Sequence, residues 1–151
     1  MPARSSIEGT FGFGMPRTAV APRTWTVMRD GDGSVNAGGG TPISYFIIGP
    51  NDSGGNGWSA VKSLFASATT INFTWSWSTT DGITYDWPFA IVSSTEPLSF
   101  TNSTPKLASA NTQSGSSTLS VGAGQWAAFG VYSLDSCCGD GRCTFSGLPA
   151  T

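Results

Sequence analysis

Asp81 and Asp86, set on either side of the Gly82 turn and next to Tyr85 and Trp87, come closest in this chain to a reactive pair. Two carboxyls flanking a bond are what glycoside hydrolysis requires, and acids beside aromatic rings are also the chemistry of sugar recognition. An aspartate next to a turn glycine more commonly bonds its own backbone, so Asp81 is expected to be a turn residue. Composition removes most other catalytic options. With no histidine in 151 residues, the base of Ser-His-Asp and Cys-His centres is missing. The Gly-rich stretches do not open a helix and carry no Walker lysine, which leaves phosphate without a cradle. The chain is expected to bind or build, with no enzymatic activity and no cofactor.

Two clusters invite a metal reading. Cys137, Cys138 and Cys143 fall within one short run, but a tetrahedral zinc site wants four ligands and no histidine is present to supply one. Three cysteines leave one unpaired, so either a loop disulfide joins Cys143 to Cys137 or Cys138, or the thiols stay free in a reducing cytoplasm. Asp30-x-Asp32 suggests calcium, yet the further oxygen ligands of a calcium loop do not follow, and a Gly-rich hairpin tip is the expectation. No metal site is expected.

Of the tryptophans, Trp75 and Trp77 alternate with polar residues and are expected in the core. Trp58 and Trp87, in loop-like contexts, form with Tyr85 a candidate ligand platform. Charged residues make up only 11% of the chain and the net charge is -2, too little positive charge to neutralise a run of phosphates or lipid headgroups. Neither nucleic acid nor membrane is expected as a partner. No apolar run approaches the ~20 residues of a bilayer span, and no apolar stretch of signal-peptide type opens the chain. The Asn-x-Ser/Thr triplets at Asn51, Asn72 and Asn102 therefore read as ordinary surface.

The elements that must hold these residues are strands. Gly and Pro punctuate the chain, and apolar residues come in short bursts rich in Trp, Phe, Val and Ile. Ile71, Phe73, Trp75 and Trp77 share one face of a half-buried strand, with Asn72, Thr74, Ser76 and Ser78 on the other. Further strands are expected over 25–29, 43–48, 85–92, 98–101, 117–121, 126–133 and 143–146. Val61 to Ala68 has a weak helical look. Pro88 places its strand at an edge or bulge. The fold class is all-β, an antiparallel β-sandwich of jelly-roll type over 25–151. Residues 1–24 read as an arm in which Ile7, Phe11, Phe13 and Met15 seek cover on a partner, because free exposure of apolar surface is unfavourable by about 25 cal/mol per Å².

Two resemblances add to this. Trp77-Ser-Thr-Thr-Asp-Gly with Tyr85-Asp-x-Pro-Phe, Gln113-Ser-Gly, Gly122-Ala-Gly and Phe129-Gly-Val-Tyr-Ser-Leu-Asp resemble a loosely CUB-like β-sandwich module of exported bacterial proteins. That module implies adhesion or structure and no activity. Gln125 and Trp126 stand where it usually has an acid and a smaller residue, and Cys137-Cys138 interrupts its apolar ending. Ile7-Glu-Gly-Thr-Phe-Gly-Phe-Gly is similar to the start of small virion structural proteins of tailed phages, particularly those of cyanobacteria. It implies a capsid decoration or tail-appendage protein, made in the host cytoplasm and carried on the virion. Its arm would bind the major capsid or tail protein, and the protein would form a homo-oligomer. The alternative is a host-adhesion module that binds a surface glycan through Trp58, Tyr85 and Trp87. A small hydrolase using Asp81 or Asp86 is the third reading.

Overall fold

The alternation of large apolar and small polar residues from Ile71 to Ser78 governs the architecture. The computed structural model describes residues 23–51 and 55–150. They form nine strands and, among the described residues, no helix: β1 (Thr26–Asp30), β2 (Ser34–Gly39), β3 (Ile43–Ile48), β4 (Gly57–Phe65), β5 (Thr69–Thr79), β6 (Asp86–Ser93), β7 (Thr112–Val121), β8 (Gln125–Ser133) and β9 (Gly141–Leu148). The expected arm, with Ile7, Phe11, Phe13 and Met15, lies outside the described residues apart from Arg23 and Thr24.

Two antiparallel sheets result, in the orders β2-β3-β9-β5-β7 and β1-β4-β8-β6. From β3 to β9 every strand crosses to the opposite sheet, the winding of a jelly roll. The fold class expected from sequence is therefore observed. Ile71, Phe73, Trp75 and Trp77 point inward and meet Phe129, Val131 and Phe145 in a single core. Trp25 joins it by edge contacts with Tyr45, Phe65 and Phe129. Burying each large apolar side chain stabilises the sandwich by roughly 1.5–3 kcal/mol.

Several expectations are corrected. The turn at 31–33 is not a hairpin tip, because β1 pairs with β4 and β2 with β3, so the chain crosses between sheets there. Val61 to Phe65 belongs to β4, whose inward and outward faces are both covered, and continuous burial erased the strand alternation. Leu98 to Thr101 is not a strand. Residues 94–111 form one irregular connection, where Thr101 bonds Ser103 and the Thr104 N–H, and only the Leu107 N–H reaches the β6 backbone, at Pro88. Pro88 does sit on an edge strand, as expected, since β6 ends its sheet. The last strand, expected over 143–146, is present as Gly141–Leu148 and is the middle strand of the larger sheet.

The outer faces of the two sheets differ. That of the larger sheet is mostly Ser, Thr and Asn from β5 and β7, with Asn72 paired to Thr118 and Ser76 to Ser114. That of the smaller sheet is apolar and is covered by 94–111. Phe100 packs there against Phe89 and Trp58, over the small Ala60 and Ala128. The buried Lys62 closes this cover, donating to the Pro97 carbonyl and pairing with Glu96.

Candidate functional site

All six described aspartates lie at one end of the sandwich: Asp30 and Asp32 at the first crossing, Asp81 and Asp86 between β5 and β6, Asp135 and Asp140 between β8 and β9. The register explains the grouping. Asp86 opens β6 opposite Ser133, the last residue of β8, so a loop after Ser133 must return over the start of β6. Carboxylate oxygens of Asp81, Asp86 and Asp135 come within 4.8 Å of one another.

Thr79 ties the first two together. Its hydroxyl donates to Asp86 Oδ2 at 2.9 Å and accepts from the Asp81 and Gly82 N–H groups. Gly82, at φ 127°, turns the chain so that its carbonyl accepts from both Tyr85 and Asp86, a backbone state open mainly to glycine. Gly141 lets the loop end close: a Cβ there would run into the Trp77 indole and lie 3.1 Å from the Asp86 Cβ. Asp135 is brought in by the Leu134 N–H, which donates to the Tyr85 carbonyl, and by Ser136, whose N–H donates to Ser133 Oγ.

The electrostatics are unfavourable as they stand. Asp86 is completely buried, and loss of hydration raises its pKa to about 6; the Ser133 and Thr79 hydroxyls pull it down in part, while the charges of Asp81 and Asp135 add to the rise. Asp81 is likewise raised, first by desolvation and then by the neighbouring Asp135 carboxyl. Among the described residues, Asp86 Oδ1 and Asp81 Oδ2 are buried without a hydrogen-bond partner. No described Lys or Arg pairs with the trio; Arg142 is engaged by Asp140 and Lys62 by Glu96. Buried carboxylate oxygens left without donor or cation are costly. A set of hard oxygen donors in this state suits a proton or a divalent cation of calcium type. Asp86 is closed off from solvent, whereas Asp81 and Asp135 are partly exposed.

Asp81 and Asp86, singled out from the sequence, are thus brought together, but with a third carboxyl that sequence reading missed. Its signal was the Leu134-Asp135 pair directly after Ser133, which becomes meaningful only once β8 is known to lie beside β6. Asp30 and Asp32 are not part of the trio; Asp32 accepts from the Asn51 N–H. Of the two readings of the cysteines, a bridge from Cys143 or free thiols, neither describes all three: Cys137 and Cys138 bond to each other, and Cys143 is a free, buried thiol on β9.

The candidate platform does not hold as a surface. Trp58 and Trp87 flank Tyr132 in one cross-strand row, but Trp87 is 2% exposed, its ring against Tyr132 and its N–H donated to the Thr104 carbonyl. Trp58 is partly buried under Phe100. Tyr85 alone of the three is well exposed, at 43%, beside the trio. No protein-family model, curated protein or solved structure matches this chain.

Proposed function

We propose that the sandwich is a binding module whose working end holds a divalent cation between Asp81, Asp86 and Asp135. The observation that carries this is the fully buried Asp86, whose Oδ1 has no partner among the described residues and stands beside two further carboxyls. A bound cation would offset the mutual repulsion, fix the loop end and leave outward coordination positions for a partner's oxygens. A binding role rather than a catalytic one is supported by the absence of histidine from the whole sequence. Calcium at a hundredfold excess over its Kd would stabilise the fold by about 2.7 kcal/mol, a rise of several degrees in Tm. Thermal unfolding of the chelator-treated protein with and without calcium tests it, with Asp81→Asn and Asp135→Asn expected to abolish the rise. An unchanged Tm in the wild-type protein would contradict the site.

For the chain as a whole we propose a place on a virion, as a decoration or tail-appendage protein that docks through 1–24 onto the capsid or tail. The support is the Phe-Gly leader with Ile7, Phe11, Phe13 and Met15 and its likeness to phage structural proteins. Deleting 1–24 should abolish occupancy on assembled particles, and full occupancy of the shortened protein would reject the idea. A glycan-adhesion reading draws on a specific feature, the exposed Tyr85 at the rim of the trio; glycan-array binding that needs both calcium and Tyr85 would favour it.

A further inference from the structure

The loop that delivers Asp135 carries a bond between adjacent residues, Cys137 and Cys138. Such a bond makes a small ring around one peptide unit and removes backbone freedom that an open loop would keep. The neighbouring backbone is in states that L-residues avoid: Ser136 and Cys138 have φ of 50° and 69°. The loop is also held from outside. Ser136 N–H donates to Ser133 Oγ, Gly139 N–H to Asn51 Oδ1, and Thr80 N–H to the Asp140 carbonyl. Within it, the Cys137 N–H donates to Asp135 Oδ1 at 3.4 Å and Cys137 Sγ lies 3.6 Å from Asp135 Oδ2. A disulfide sulfur carries no hydrogen, so this second contact donates nothing to Oδ2. A thiol at the same place would aim an S–H donor at that oxygen.

We propose that the Cys137–Cys138 bond is a redox switch on the cation site: closed, it holds Asp135 in the trio; opened, it releases the loop and sets a thiol in competition for the carboxylate. The inference rests on the cation reading above. The reductant is a small dithiol. Its two S–H groups become one disulfide, the protein S–S bond breaks, and two protons and two electrons pass to the sulfurs of Cys137 and Cys138. A small-molecule disulfide reverses the step by exchange through a mixed disulfide. Cys143 stays out of this chemistry, since burial in the core pushes its thiol pKa up and keeps it protonated and out of reach. Coupling is reciprocal, so calcium must make the bond harder to reduce by the factor by which reduction weakens calcium binding.

The test is calcium titration calorimetry on the full chain, oxidised, reduced with a dithiol, and as Cys137→Ser/Cys138→Ser, with far-UV circular dichroism on each. A supporting ligand loosened in its setting lowers metal affinity on the order of 10–100-fold. That loss is expected in the reduced protein and the double variant, with recovery when the reduced protein is reoxidised. If the double variant does not fold, the reduced wild-type protein decides. Equal affinity in the oxidised and reduced forms overturns the switch and leaves the cation site standing. Absence of binding in both overturns the cation site and the switch with it. Loss of the strand signal on reduction also overturns the switch, because the bond would then hold the whole fold rather than one loop.

Discussion

The acidic loop end and the covered face of the smaller sheet both bury polar atoms that lack a partner among the described residues, but the two solve that problem differently. On the covered face the orphans are neutral, Trp58 Nε1 and Tyr132 Oη, set in a row of rings that residues 94–111 seal from water. A neutral group left unpaired costs about 1–3 kcal/mol, which burial of Phe100, Phe89 and Trp87 offsets. At the loop end the orphans are carboxylate oxygens, and no packing of apolar groups offsets a buried charge. There the molecule must take up a proton or a cation, so the site with an unmet demand is the place where a ligand changes the energy most.

The largest effect is expected on the covered face. Phe100→Ala removes the plug between Phe89 and Trp58 and should destabilise by about 3–5 kcal/mol in denaturant unfolding; a loss below about 1 kcal/mol would mean that the cover is a loose strap. The loop end should instead reveal itself through pH. Asp86 has a folded pKa of about 6, above the ordinary value near 4. The native state then binds the proton more tightly than the unfolded chain. In the metal-free protein this group's stabilisation is complete below about pH 4 and is lost as pH rises to about 6. Saturating calcium should reverse the slope across that window, since the ion needs the ionised carboxyl. Chemical unfolding at pH 4.5 and 7, with chelator and with calcium, reads both slopes, and Asp86→Asn should flatten them. Parallel slopes in the two conditions would separate Asp86 from the ion. The smallest effect is expected for Tyr132→Phe, which deletes an unpaired hydroxyl and should move stability by no more than about 0.5 kcal/mol. A larger loss would show that this hydroxyl has a partner and that the contrast between the two regions is overdrawn.

Strand periodicity made the sandwich legible: one clean alternation from Ile71 to Trp77 gave the inner face of β5, and Pro88 marked an edge. What periodicity does not carry is pairing. The jelly-roll winding, the central place of β9 and the crossing at 31–33 depend on contacts between distant segments, and these decide which loops meet. Asp81 and Asp86 could be paired from their spacing, whereas Asp135 joins them only through the β6–β8 register. Trp58 and Trp87 looked like surface aromatics because they sit near turns and prolines; they are covered because 94–111, rich in Pro and Ser, lies down as a lid instead of forming the strand expected at Leu98. The bond between Cys137 and Cys138 is not legible in the sequence, because three cysteines in one short run leave the pairing open.

The most direct measurement is anomalous diffraction from a crystal of the oxidised protein grown with calcium and exchanged with terbium. One peak is expected, bounded by Asp81, Asp86 and Asp135, with oxygen ligands at about 2.3–2.6 Å, vanishing in Asp86→Asn. A map with no peak between these three carboxyls, from crystals in which terbium is ordered elsewhere, would contradict the cation site.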